Sequence, residues 1–137
     1  MFSCISISGF RDHLDSTKAR FRDPEGCTPF GNSIVIADYS NDAIRRFDVD
    51  QQSVETLVKH GASGSPDGEY TGSANSGGGV SLPIFVESLN DTHLIVVQLT
   101  AEVRMIDTVD KIITTLGDLG SNVSLQQYFL GYFTIYS

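Results

Sequence analysis

The sequence predicts an all-β protein made of two successive four-stranded antiparallel sheets stacked face to face. Three observations carry this. The chain repeats itself at a spacing of 59 residues: Pro24 returns as Pro83, and Leu57 as Leu116. Each copy reads as short β-prone runs rich in Val, Ile, Thr and Phe, separated by tight polar turns. In each copy one run, "IVIA" or "LIVV", is apolar without alternation, the pattern of a strand covered on both faces.

The elements follow in order. In the first copy "EGCTPF" leads into "GNS", whose residues tolerate left-handed backbone, and then "IVIAD". The turn "YSND", the strand "AIRRFDV", the turn "DQQ" and the more polar rim strand "SVETLV" complete a meander of hairpins. "IFVES", "LIVVQ", "EVRMID" and "IITTL" fill the same places in the second copy. Ile34, Val35 and Ile36 align with Leu94, Ile95 and Val96. Ile44, Arg45 and Phe47 align with Val103, Arg104 and Ile106, after one residue is lost from the second turn. Four-stranded sheets stacked about an axis make a β-propeller, here an incomplete one of about two blades.

At 137 residues the chain has room for one ordinary domain. Residues 1–18 read as an entry segment and 19–62 as the first blade. A Gly/Ser-rich inter-blade loop spans 63–79, the second blade 80–120 and a divergent aromatic tail 121–137. The net charge is −8, and beyond residue 46 only Lys59, Arg104 and Lys111 oppose the acids. A phosphate-binding chain needs a basic stripe, so no nucleic-acid partner is expected. No run approaches the ~18 apolar residues of a membrane helix, and the N-terminus lacks the basic and apolar regions of a secretory signal. The compartment is therefore left open, although Asn90 and Asn122 stand in glycosylation sequons. Cys4 and Cys27 have no metal-ligand or redox spacing; two separate thiols are favoured over a bridge.

Candidate contact residues come from two segments that a meander places at one end of a blade. Tyr39, Asn41 and Asp42 lie in the "YSND" turn; Asp67, Glu69 and Tyr70 lie in the long 59–79 loop. Short polar residues in turns usually cap backbone N–H groups, so these are candidates for binding and not for catalysis. Arg104 recurs at the place of Arg45, which favours a structural role for both. No catalytic constellation stands out. "SGGGV" lacks the context of a phosphate cradle, "DVD" and "PDGEY" lack the ligand count of a calcium cage, and no nucleophile elbow is present. His13, His60 and His93 are too scattered for a metal trio, and no cofactor or metal is expected.

The succession "ARFRDPEG", "IVIADYSNDAIRRFD" and "TLVKHGASGSPDG" resembles the repeat of the NHL family of β-propellers over roughly residues 9–120. That repeat shows an aromatic residue three before a proline, an Asp-ended apolar strand, an Asn-containing turn, an "RI-x-x-F/I-D" strand and a glycine-rich loop. The second copy keeps "LIVVQ", "VRMID" and "TTLGDLG" but loses the Asp and Asn of the turn. The resemblance implies a non-catalytic binding or scaffold module that recognises a protein or peptide partner through its loop faces. The alternative it implies is part of a propeller lyase or hydrolase. The zinc-dependent lyases of this kind use histidines from several blades, but His60 and His93 do not occupy equivalent repeat positions. The family's rings usually have six blades, so a two-blade chain is expected to be a fragment or to self-associate through exposed blade faces.

Overall fold

The computed structural model describes residues 8–61, 65–75 and 77–120. Cys4, the Asn122 sequon and the aromatic tail lie outside them. The fold is all-β, with two antiparallel sheets that do not close into a barrel. The first contains β1 (Pro24–Phe30), β2 (Ser33–Asp38), β3 (Ala43–Asp48) and β4 (Ser53–Lys59), hydrogen-bonded in chain order. The second contains β6 (Pro83–Ser88), β7 (His93–Gln98), β8 (Glu102–Asp107) and β9 (Ile112–Asp118) in the same order. It also gains a strand the sequence did not predict: β5 (Gly68–Glu69), from the long loop, pairs outside β9. The first sheet has a single-bridge counterpart, His13 against Val54.

The internal repeat is visible in the backbone. Three pairs of non-glycine residues adopt positive φ at the same 59-residue spacing: Asp23 and Leu82, Asp42 and Ala101, Gln52 and Lys111. Each sits in a turn or bend next to a strand, where a left-handed residue redirects the chain. A bulge also recurs, opposite Ile44/Arg45 in one sheet and Val103/Arg104 in the other. Asp48 and Asp107 cap the following turns by accepting from backbone N–H groups of Gln51 and of Val109 and Asp110.

One core lies between the sheets. Val35, Ala37, Ile44 and Val58 of the first meet Val86, Leu94, Val96, Ile106 and Ile113 of the second, with Tyr70 and Val80 from the connecting segment. Strands β1 and β6 make the closest approach. A Cβ at Gly26 would stand in van der Waals contact with the backbone of Ile84 and Phe85, and the buried Thr28 hydroxyl donates to Glu87 Oε1 at 2.8 Å. The unbroken apolar runs of β2 and β7 suggested burial on both faces; burial alternates along Ile34–Ala37 of β2, whereas Val96, Val97 and Gln98 at the end of β7 are buried in succession. In β2, Val35 and Ala37 are buried while Ile34 and Ile36 are half-buried, because only one face of that sheet meets the other sheet.

The segment joining the sheets packs through its glycines. At Gly79 an added Cβ would lie 2.0 Å from the Gly61 nitrogen, and at Gly78 2.3 Å from the Gly68 oxygen. Only glycine allows backbone to approach backbone so closely. Among the described residues, this stretch is therefore a packed part of the sheet-to-sheet junction.

Candidate functional site

Two arginines organise the ends of the sheets. Arg45 lies on β3 with its side chain fully buried. Its five N–H donors all find acceptors. Nε and Nη2 grip Asp12 Oδ1 at 3.1 and 2.7 Å, Nη1 meets Asp38 Oδ2 at 2.7 Å, and the carbonyls of Arg20 and Arg11 take the remaining two. The rings of Phe10 and Phe21 lie 4.6 and 4.8 Å from its guanidinium carbon. Asp12 also accepts from the Thr56 hydroxyl and backbone N–H. A planar, five-donor cation is the side chain suited to such a hub.

Arg104 repeats the arrangement on β8. It reaches Asp67 Oδ1 at 2.9 Å, Gln98 Oε1 at 3.2 Å and the carbonyls of Gly79 and Pro66. Thr115 donates to Asp67 as Thr56 does to Asp12. Burial pushes the Asp67 carboxyl up, but the Thr115 hydrogen bonds and the Arg104 charge outweigh it and hold the group below the usual carboxylate range. Asp67 is thereby engaged in the structure, with half of its side chain still exposed.

The other candidates divide in the same way. Asn41 donates to Gly9 O and Asp38 Oδ2. Asp42 accepts from Leu82 N at 2.7 Å and from Ser81 Oγ, tying the β2–β3 turn to the start of the second sheet. Lys59 Nζ, set over the Phe10 ring, bonds the Asn41 carbonyl, and burial lowers its pKa. Tyr70 is buried and donates to Asp107 O; burial raises its phenol to about 12. Glu69 is exposed on β5. The structure brings Tyr39, Asn41 and Asp42 together but places Asp67, Glu69 and Tyr70 against the second sheet.

Of these six, Tyr39 lines a groove between the sheets. The groove, of about 680 Å³, is bounded by Glu25, Gly26, Cys27, Tyr39, Ile84, Phe85 and Leu99. It sits where β1 and β6 lie side by side, flanked by the turns that follow β2 and β7. The repeat explains its makeup: Glu25, Gly26 and Tyr39 occupy the places taken in the second sheet by Ile84, Phe85 and Leu99. The lining comes from four separated segments, so spacing alone gave no signal for it. Glu25 and the Cys27 thiol are exposed, and Leu99 is 46% exposed. An apolar wall with a carboxylate at one side suits an apolar side chain next to a positive group.

The histidines lie apart. His13 Nδ1 accepts from Asp15 N, His60 lies against the Gly61 carbonyl, and His93 is 3.4 Å from Asp107. Among the described residues no three His, Cys, Asp or Glu side chains come together as a metal-binding group, and no helix is long and apolar enough to cross a membrane. Asn90 is exposed and accepts from the Thr92 and His93 backbone N–H groups. Compared with known proteins, the sequence matches no protein-family model and no curated protein.

Proposed function

We propose that the chain forms two blades of an NHL-type β-propeller and serves as a binding module for a peptide segment of a partner protein. The partner's apolar side chain enters the groove between β1 and β6, and an adjacent lysine or arginine pairs with Glu25. The groove carries this reading: its walls are Tyr39, Ile84, Phe85 and Leu99, its volume is about 680 Å³, and a carboxylate stands at its side. Ligand-binding clefts span about 300–1,000 Å³, a range that includes this groove. The chain's net charge of −8 adds a long-range attraction for basic partners. The NHL-like order of motifs supports the propeller part of the reading, and the stacked antiparallel sheets are compatible with it.

Fluorescence-polarisation titration against a library of labelled peptides with an aromatic or leucine residue beside lysine or arginine tests this. Binding in the micromolar range is expected. Leu99→Glu should weaken it at least tenfold, and Glu25→Lys should shift preference towards acidic peptides. Binding that ignores both substitutions, or no selection from the library, overturns the proposal.

A further inference from the structure

The repeat makes burial comparable position by position, and the comparison shows an exchange. On the face of the first sheet that meets the second, Val35 and Ile44 are fully buried and Leu57, the bulge residue, packs against the core. Their equivalents Ile95 and Val103 are half-buried, and Leu116 is 54% exposed. The opposite face shows the reverse. Leu94 and Val96 of the second sheet are fully buried, while their equivalents Ile34 and Ile36 are half-buried, with Cys27 and Pro29 exposed beside them.

Strand register settles which residues share a face, since directly paired residues point the same way. Cys27, Ile36 and Arg45 are paired across β1, β2 and β3, and Pro29 pairs with Ile34. These form the outer face of the first sheet. Among the described residues, the entry segment covers its Arg45 side through Asp12 and Phe10, leaving the β1–β2 side open. Ile95 pairs with Met105 on the outer face of the second sheet, joined by Val103 two residues along β8. Each open face is thus the counterpart of a face that is closed inside the chain, and the two closed faces already pack on each other.

We propose that the open face at Ile95, Val103, Met105 and Leu116 binds the open face at Cys27, Pro29, Ile34 and Ile36 of a second copy of this chain, head to tail. The contact would repeat the sheet-to-sheet packing already present between Val35, Ala37 and Ile44 on one side and Val86, Leu94 and Val96 on the other. Because the two faces differ, the contact is heterologous: it propagates until the rotation closes a ring, or continues as a filament. It shares only Cys27 with the lining of the β1–β6 groove, and Ile34, Ile36, Ile95 and Met105 lie outside that lining, so its failure is distinguishable from failure of the peptide-binding reading.

Sedimentation velocity and light scattering over a concentration series test the proposal. The chain should associate, and Met105→Glu and Ile36→Glu should each reduce it to single chains with unchanged circular dichroism. The exposed turn variant Val109→Glu should associate like the parent. The decisive arm mixes the two blocked variants. Each retains one working face, so the mixture should form a one-to-one dimer and nothing larger. A parent chain that stays monomeric throughout, association that survives either blocking substitution, or a folded mixture that forms no heterodimer overturns the proposal. Variants that lose their circular dichroism would be replaced by Ile95→Ser and Ile34→Ser, read in the same mixing assay.

Discussion

The two arginine hubs have the same frame but different chemistry. Arg45 balances its charge against two carboxylates, Asp12 and the fully buried Asp38, and leaves no donor idle. Arg104 has one carboxylate, Asp67, which is half exposed, and a neutral Gln98 where the first hub has Asp38. Its Nε is buried with no acceptor among the described residues. Gln98 passes the interaction on, donating to Glu102 Oε2 at 2.7 Å, so a second acid is coupled indirectly. Geometry therefore survives repetition more faithfully than charge does. Four acceptor positions around each guanidinium are conserved between the copies, two of them backbone carbonyls. The difference should make the first hub the more costly one to break, since a buried carboxylate without its partner is penalised far more than an exposed one.

The largest effect should come from Arg45→Met, which strands the Asp38 carboxylate in the interior. A loss of about 3–5 kcal/mol of unfolding free energy is expected from urea denaturation. Arg104→Met should cost less, about 1–3 kcal/mol, because Asp67 can turn to water and only neutral acceptors stay behind. Equal losses would remove the distinction between the hubs. Asp38→Asn gives the first hub the neutral partner of the second. Asp38 also accepts from Arg22 N and Asn41 Nδ2, and an amide has one acceptor oxygen, so a cost of about 1–3 kcal/mol is expected in the same assay.

Two smaller effects follow from pH. The folded Tyr70 phenol is raised to about 12 by burial, above its unfolded value of 10.0. Its contribution is therefore complete below pH 10 and is lost as pH rises towards 12. Ultraviolet titration should show one of the five tyrosines ionising last, and Tyr70→Phe should abolish that step. Asp67 has the opposite sign: its folded pKa is depressed, so its contribution is present above the ordinary carboxylate value and fades as pH falls through the folded one. Thermal melts of Asp67→Asn and the parent should converge in acid and separate towards neutrality.

The eight main strands were legible because the repeat supplied two independent readings of each. Polar turns such as "GNS" and "YSND" marked their ends, and observed boundaries fall within a residue or two of the expected ones. β5 was not legible. Two residues, Gly68 and Glu69, carry no periodicity, and their pairing depends on where Arg104 holds Asp67. The hubs were half legible: Arg104 repeating Arg45 pointed to structure, but Asp12 lies 33 residues before its arginine and nothing local marks it. The groove was the least legible feature. Of its lining only Tyr39 stood in a segment singled out by composition, since a cavity is defined by the packing of distant segments.

The spacing of the hubs has a consequence for the chain's tolerance to change. Asp12 precedes its arginine by 33 residues and Asp67 by 37, yet both carboxylates reach the same position. The carboxylate and the following strand pin the two ends of this segment, whose length differs between the copies although its glycines pack closely in the second. At the exposed Ser73–Ala74 junction an added stretch would cost only the slowly growing entropy of a longer loop, roughly 0.6 kcal/mol per doubling. That junction is where a reporter epitope or a foreign recognition loop can be spliced in while both sheets keep their registration.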